Sequence, residues 1–469
     1  MSSRRPAVPL VLLAFAMAAA LLACSRQAEA VPAFARKYHT SCQTCHSIFP
    51  KLNAFGEAFR LKGYRMPGET EEMVKEKPVS LGAPAYKRLW PEAIWPGELP
   101  GGVPLALNIK FAWVNTSTLN PDGTVTSVKN DLQFPQEANI FGAGTLGDHV
   151  SFFGEVTFGE NPDSSVSVEL EHARLNFDSP FGPEDAFHIR IGKFAPNLVD
   201  GFQEMWIVTD AAIDSLFAYN PIGPAGGTGL AGDMSPMPIS LPDRVRGIEA
   251  YGILQHRILW VAGLANGISP GPNGGFDGNN AKDYYARFDY KLGGMGLDGD
   301  LGGKAPPAQN WRDDSVRIGA FIYRGDGSDI NFESTNLDGS AVNVQDLHFL
   351  RTGLYASAFY KNLNVFAAYL HGSDSLQLLD PDTGTPLGLV EPPFHAWFTQ
   401  ADYMFYPWLL GSFRYETVTP GDRSVPSLRT GVFNVSALIR ANVKAMLEYQ
   451  RDLREGRNHS LDGLVRFAF

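Results

Sequence analysis

The sequence predicts a mainly β chain: an antiparallel outer-membrane β-barrel of about sixteen strands, preceded by a small N-terminal α-helical segment. Three observations carry this. Stretches of about ten residues alternate apolar and polar side chains along most of the chain, the period of a sheet with one apolar face. The connections between them alternate short and long, as barrels that cross an outer membrane require. Composition fits as well: 12% aromatic residues and 48 glycines accompany only 19% charged residues, and the mean hydropathy is −0.12. The 39 basic and 50 acidic residues leave a net charge of −11, which argues against a nucleic-acid partner and for attraction of cations.

In chain order, residues 1–30 read as a secretory signal. Arg4 and Arg5 form a charged start, Ala7 to Leu22 an apolar stretch, and Ala28-Glu29-Ala30 an A-x-A cleavage site. Leu21-Leu22-Ala23-Cys24 is a competing, lipobox-like site that would leave a lipidated Cys24. Either way the chain is exported, and three cysteines in all make no disulfide framework.

Residues 31–95 hold the chemistry-bearing motif, Cys42-Gln43-Thr44-Cys45-His46. C-x-x-C-H is the attachment pattern of a c-type haem. Two thiols on one turn of chain can each add to a vinyl group of one porphyrin, and the adjacent imidazole then meets the iron as an axial ligand. No second C-x-x-C exists to complete a zinc site, and no βαβ pattern surrounds the pair as a thioredoxin-like motif needs. The expected cofactor is therefore one covalent haem c on Cys42 and Cys45, with His46 as ligand. Leu52, Phe55 and Phe59 stand at helical spacing, so a helix is expected over about 50–62, stopped by Gly63. Met66 is the candidate sixth ligand, with Met73 and His39 as rivals. A methionine ligand would raise the potential relative to a second histidine. Residues 69–100, proline-rich and carrying Trp90 and Trp95, read as a linker.

The barrel is assigned to residues 104–469. Leu105, Leu107, Ile109, Phe111 and Trp113 alternate with Ala106, Asn108, Lys110 and Ala112, and the chain ends on the same pattern at Phe469. Expected strands span 105–116, 130–142, 149–159, 165–178, 186–195, 245–254, 257–267, 280–293, 314–325, 344–358, 362–373, 394–405, 408–418, 428–441, 443–453 and 459–469. A soluble sandwich would have shorter strands and no such alternation of loops. One connection breaks the rule: 294–313 falls on the short-turn side yet is long and glycine-rich. Parity turns Lys110, Glu155, His188, Arg190, Arg317, Asp462 and Arg466 into the lumen. A barrel of this size leaves an aqueous interior, so the haem segment can serve as a plug. Asp210, Asp214, Asp233 and Asp243, in the longest loop, are candidate cation-attracting groups on the extracellular side.

The run Phe34-Ala35-Arg36-Lys37-Tyr38, the C-x-x-C-H motif, then Phe49-Pro50, Leu52-Asn53 and Phe55-Gly56 ahead of a porin-like barrel resembles the fused monohaem cytochrome–porins, which include outer-membrane iron-oxidising cytochromes. The specific motif covers about residues 32–64; the barrel half resembles phosphate-selective or carbohydrate porins as well. The resemblance implies one c-haem on Cys42, Cys45 and His46. It implies electron flow from an extracellular donor, Fe(II) among the candidates, to a periplasmic cytochrome or other carrier. The alternative is a diffusion porin with a redox-sensitive or accessory haem segment.

Overall fold

The computed structural model describes residues 33–67, 77, 79–80, 82, 88–92, 98–119, 124–160, 165–200, 208–218, 241–242, 244–266, 280–305, 307–325, 331–335, 341–391, 393–421, 427–454 and 458–469. The signal and lipobox expectations, Cys24 and Met73 fall outside these residues.

The barrel wall consists of β1 (Leu105–Leu119), β2 (Val125–Thr145), β3 (Val150–Glu160), β4 (Val166–Asp178), β5 (His188–Phe194), β6 (Val245–Leu254), β7 (Ile258–Asn266) and β8 (Lys282–Gly293). It continues through β9 (Ser315–Gly325), β10 (Ala341–Tyr360), β11 (Leu363–Leu379), β12 (Pro393–Tyr406), β13 (Leu409–Pro420), β14 (Leu428–Arg440), β15 (Val443–Asp452) and β16 (His459–Ala468). Each strand pairs antiparallel with the next, and β16 closes on β1 with Phe467 opposite Ile109. Two further short strands, Asn331–Thr335 and Pro386–Val390, pair above the wall on long connections. Because β9 pairs directly with β10 and β11 with β12, the ring of eighteen segments closes as sixteen strands without these two. All sixteen expected strands are present, while the two short extensions went unanticipated.

Side-chain parity divides the wall cleanly. Ile248, Phe288, Ile318, Leu354, Phe413 and Phe433 face outward and exposed, an apolar belt suited to lipid. Arg190, Glu249, Asp289, Arg317, Asp402, Arg414 and Glu448 face inward and are buried. Lys110, Glu155 and His188 also lie inside as expected. A closed ring satisfies every strand edge, the condition for sheet structure in hydrocarbon. No helix among the described residues is long and apolar enough to cross a membrane.

Much of the interior is occupied by described side chains. Tyr251, Tyr285, Tyr323, Phe349, Tyr355, Phe366, Phe394 and Phe398 from the wall form one cluster with Leu61 of the N-terminal segment. Leu198, Val199, Ile213 and Leu216, from the long connection after β5, belong to the same cluster. That connection thus folds inward. Asp210 is half-buried and its carboxylate takes Lys110 Nζ at 3.0 Å, while backbone N–H groups of Asp210 and Ala211 donate to Glu448. Asp210 is therefore a lumen ion-pair member rather than a solvated loop acid. Asp233, Asp243 and the Asp214 side chain lie outside the described residues.

Candidate functional site: a cavity inside the barrel

The N-terminal segment begins with helix α1 (Ala33–Lys37) and a single turn over Cys42–Thr44. A small ladder of His46–Ile48 against Lys51–Leu52 follows, then helix α2 (Ala54–Leu61). The second helix is shorter than the spacing predicted because the ladder takes Lys51 and Leu52. Asn53 is its N-cap, accepting from Gly56 N at 2.8 Å. Gly63, with φ of 66°, ends it, and Tyr64 N donates back to the Phe59 carbonyl.

Asn53 also organises the motif. Its backbone N–H donates to the Cys45 carbonyl at 3.0 Å, and Nδ2 donates to the Thr44 carbonyl at 3.1 Å. Gly56 lets the helix lie against this turn: a Cβ there would stand 2.0 Å from the Cys45 carbonyl oxygen. One Asn and one Gly thus fix the C-x-x-C-H backbone to α2.

The segment is tied to the barrel at many points. Lys51 Nζ bonds Asn364 Oδ1 at 2.5 Å and pairs with Asp402. Arg60 donates to Asn197 Oδ1 at 2.8 Å, and Tyr251 Oη donates to the Leu61 carbonyl at 3.1 Å. Arg65 pairs with Asp178 at 2.8 Å, and Gln43 donates to the Pro407 carbonyl at 2.9 Å on a short turn. The long connection 294–313 finds its reason here. Asn310 Nδ2 donates to the carbonyls of Gln43 and His46, and Trp311 packs on the cluster containing Ile48. Gly299 abuts Pro67 so closely that a Cβ would lie 2.4 Å from it. The connection is a clasp over the motif, at the rim carrying the short turns.

Cys42, Cys45, His46 and Met66 all line one cavity of about 520 Å³ between this segment and the wall, within the usual range of ligand pockets. Phe34, Phe49, Leu52, Phe59 and Tyr64 supply its apolar walls. Met66 is buried in the cluster of Tyr38, Phe59 and Tyr64, against which Cys45 packs. His39, by contrast, is exposed and away from the cavity.

Burial raises the Cys42 thiol and, with the Cys42 charge adding to it, pushes the Cys45 thiol up to about 12. Such thiols stay protonated at neutral pH, unlike the lowered pair of a disulfide oxidoreductase. Burial lowers His46 to about 4, against hydrogen bonds the ring donates to the backbone at Pro50 and Lys51, which pull it upward. The neutral ring bonds the Pro50 carbonyl through Nδ1 at 2.9 Å. With Nδ1 as donor, Nε2 keeps its lone pair, the tautomer a metal-ligating imidazole needs. Among the described residues no group of three His, Cys, Asp or Glu side chains is placed to hold a bare metal ion. Two thiols, a neutral imidazole, a thioether and aromatic walls around one cavity are compatible with a c-type haem.

A closed antiparallel wall, an outward apolar belt and a polar interior settle the architecture. The chain is an outer-membrane β-barrel. Its sequence matches no protein-family description and no curated protein. Solved structures similar to this barrel include Salmonella typhi OmpF in complex with daunomycin, with a TM-score of 0.47, 11% identity, and 78% of this chain and 97% of that one covered. An anion-selective porin from Comamonas acidovorans has a TM-score of 0.46 and 8% identity over 78% of this chain and 99% of that one. The outer-membrane channel DcaP of Acinetobacter baumannii has 0.45 and 12% over 78% and 96%.

Asn53 and Gly56 stand in the resemblance motif without a role that spacing assigns, and neither Asn310 nor the purpose of the clasp follows from local sequence. The N-cap position of Asn53, three residues before Gly56, and the oversized short-side connection were the available signals.

Proposed function

We propose that the protein is an outer-membrane cytochrome–porin that passes electrons between an extracellular donor and periplasmic carriers through one haem c. Supporting this reading is the convergence of Cys42, Cys45, His46 and Met66 on one cavity in the barrel interior. A haem c would be held by Cys42, Cys45 and His46 and would supply the redox centre. The chain's residues do the remaining work. Asn53, Gly56 and Asn310 hold the attachment turn. The Pro50 carbonyl fixes the His46 tautomer, and Met66, on the same cavity lining, is the thioether that would complete the ligand set. Phe34, Phe49, Phe59 and Tyr64 give the cavity an apolar side for the porphyrin face. Position near the short-turn rim, which outer-membrane barrels direct to the periplasm, favours exchange with a soluble carrier there. Fe(II) is the candidate donor that the sequence resemblance implies.

The test is optical. Oxidised protein, purified in detergent after maturation in a host that attaches c-type haem, is mixed anaerobically with Fe(II) and followed by stopped flow. Stoichiometric growth of the reduced c-type bands is expected. If dithionite reduces the protein but Fe(II) does not, iron oxidation is lost as the function.

The porin-like barrel itself favours a second reading, a solute channel carrying an accessory haem segment. A redox-independent open pore in planar bilayers would select it.

A further inference from the structure

Among the described residues, Arg174, on β4, is a cation of the cavity lining that has no carboxylate within ion-pair distance. It lines the cavity and is 8% exposed. Lys110 and Arg466 on the same lining have Asp210, and Arg244 has Glu171. Lys444 has Asp210 and Glu448 among its electrostatic neighbours. Arg174 has none of this. Its strongest electrostatic neighbours are Tyr64 and two further cations, Arg190 and Arg60, which are themselves paired with Glu249 and Glu57. Among the described residues its one hydrogen bond goes to the Tyr64 hydroxyl, and its Nε has no partner there. The guanidinium lies over Phe153, 4.7 Å from the ring centre, which orients it without neutralising it.

A buried guanidinium without an anion is costly, and proteins avoid it by pairing. Planar, fork-shaped recognition of carboxylates is the role Arg fills best. We infer that Arg174 anchors a carboxylate bound in this cavity, and that this carboxylate is a propionate of the covalent haem. Naming the propionate rests on the reading proposed above. A free small anion entering the lumen has the same chemistry and is the other source. Tyr64 completes the anchor, its hydroxyl held by Arg174 and its ring stacked on Phe34 at 4.8 Å.

Full-length wild type, R174Q and R174K, matured in a haem-attaching host, would be compared in detergent. Heat-modifiable gel migration confirms the folded barrel, and covalent haem is quantified by its alkaline pyridine spectrum. In R174Q the propionate is left uncompensated beside the iron. Its midpoint potential is expected to fall, and its propionate bending band in the resonance Raman spectrum to shift. R174K keeps the charge but loses the fork, so the band shifts while the potential stays close to wild type. Haem-loaded R174Q with unchanged band and potential overturns the proposal. If R174Q yields no folded barrel, the R174K band decides alone, with no shift overturning it. If wild type carries no covalent haem, the cytochrome reading fails separately. The anchor is then tested by reversal potentials in a sodium acetate gradient. A shift of R174Q towards cation selectivity supports a free-anion site, and an unchanged reversal potential overturns the proposal.

Discussion

Single side chains in the N-terminal segment do more than fill a helix. Asn53 caps α2 and holds the Thr44 and Cys45 carbonyls of the C-x-x-C-H turn. Asn53→Ala is expected to cost about 1 kcal/mol in capping alone, and to lower the fraction of chains carrying covalent haem, measured by haem stain against total protein. Gly56→Ala is expected to be worse, since the added Cβ meets backbone that cannot rotate away. Glu57 carries a pH prediction. Burial pushes its carboxyl up, but Arg60, then Arg317 and Arg287, outweigh it and hold the group at about 2. Its folded value is thus depressed, so its contribution to docking is complete above the ordinary carboxylate range and is lost as pH falls towards about 2. Pepsin resistance of residues 33–67 should therefore persist at pH 3 in wild type. In Glu57→Gln, which leaves Arg60 and Arg317 facing an amide, protection should be weaker at every pH and lose that acid dependence. Equal pH profiles for the two proteins would refute this account. The motif residues were legible because thiol and imidazole spacing is a local matter. The partners that set their surroundings were not, because Asn310 stands 267 residues from Gln43.

At the level of elements, period-two patterning made the wall readable strand by strand, since inward polar and outward apolar side chains each recur at fixed parity. Asn331–Thr335 and Pro386–Val390 escaped because each is a short extension on a long connection, too brief to show a period. Helix α2 began later than its apolar spacing implied because a two-residue ladder pairing at Lys51–Leu52 claimed the first turn. The clasp at 294–313 was visible only as an exception to the loop rule. Its purpose depends on contacts that no local pattern encodes. Asn310→Ala, removing bonds to two motif carbonyls, is expected to speed proteolysis within 33–67 while leaving the heat-modifiable migration of the barrel unchanged. Asp402→Asn strands Lys51 in a buried site, where breaking an ion pair costs about 3–5 kcal/mol. The same protease assay should show a larger effect there than for Asn310→Ala.

For the whole molecule, closure of sixteen strands was expected from the loop alternation, and the ring bears it out. How much of the lumen stays open was not legible, because inward-facing polar side chains read alike whether they meet water or one another. In the structure many meet one another, as where Arg287, Arg317, Asp289 and Asp200 share one network. The full-length protein should therefore show low conductance in planar bilayers. A form lacking residues 31–95 should conduct several-fold more, and equal conductance of the two would mean that the segment does not obstruct the pore.

The clasp and the ring together set a chronology. Cys42 and Cys45 face a cavity roofed by the wall on one side and gripped by Asn310 at the rim. An enzyme large enough to join a porphyrin to two thiols must surround an extended peptide, and inside the finished cylinder there is no room for one. Any such modification has to come while the amino-terminal stretch is still loose in the periplasm, before the strands are stitched into the membrane. The barrel would then assemble around a cargo already loaded. If the segment carries covalent haem, biogenesis would be a one-way sequence, in which a chain that closed early could not be loaded afterwards.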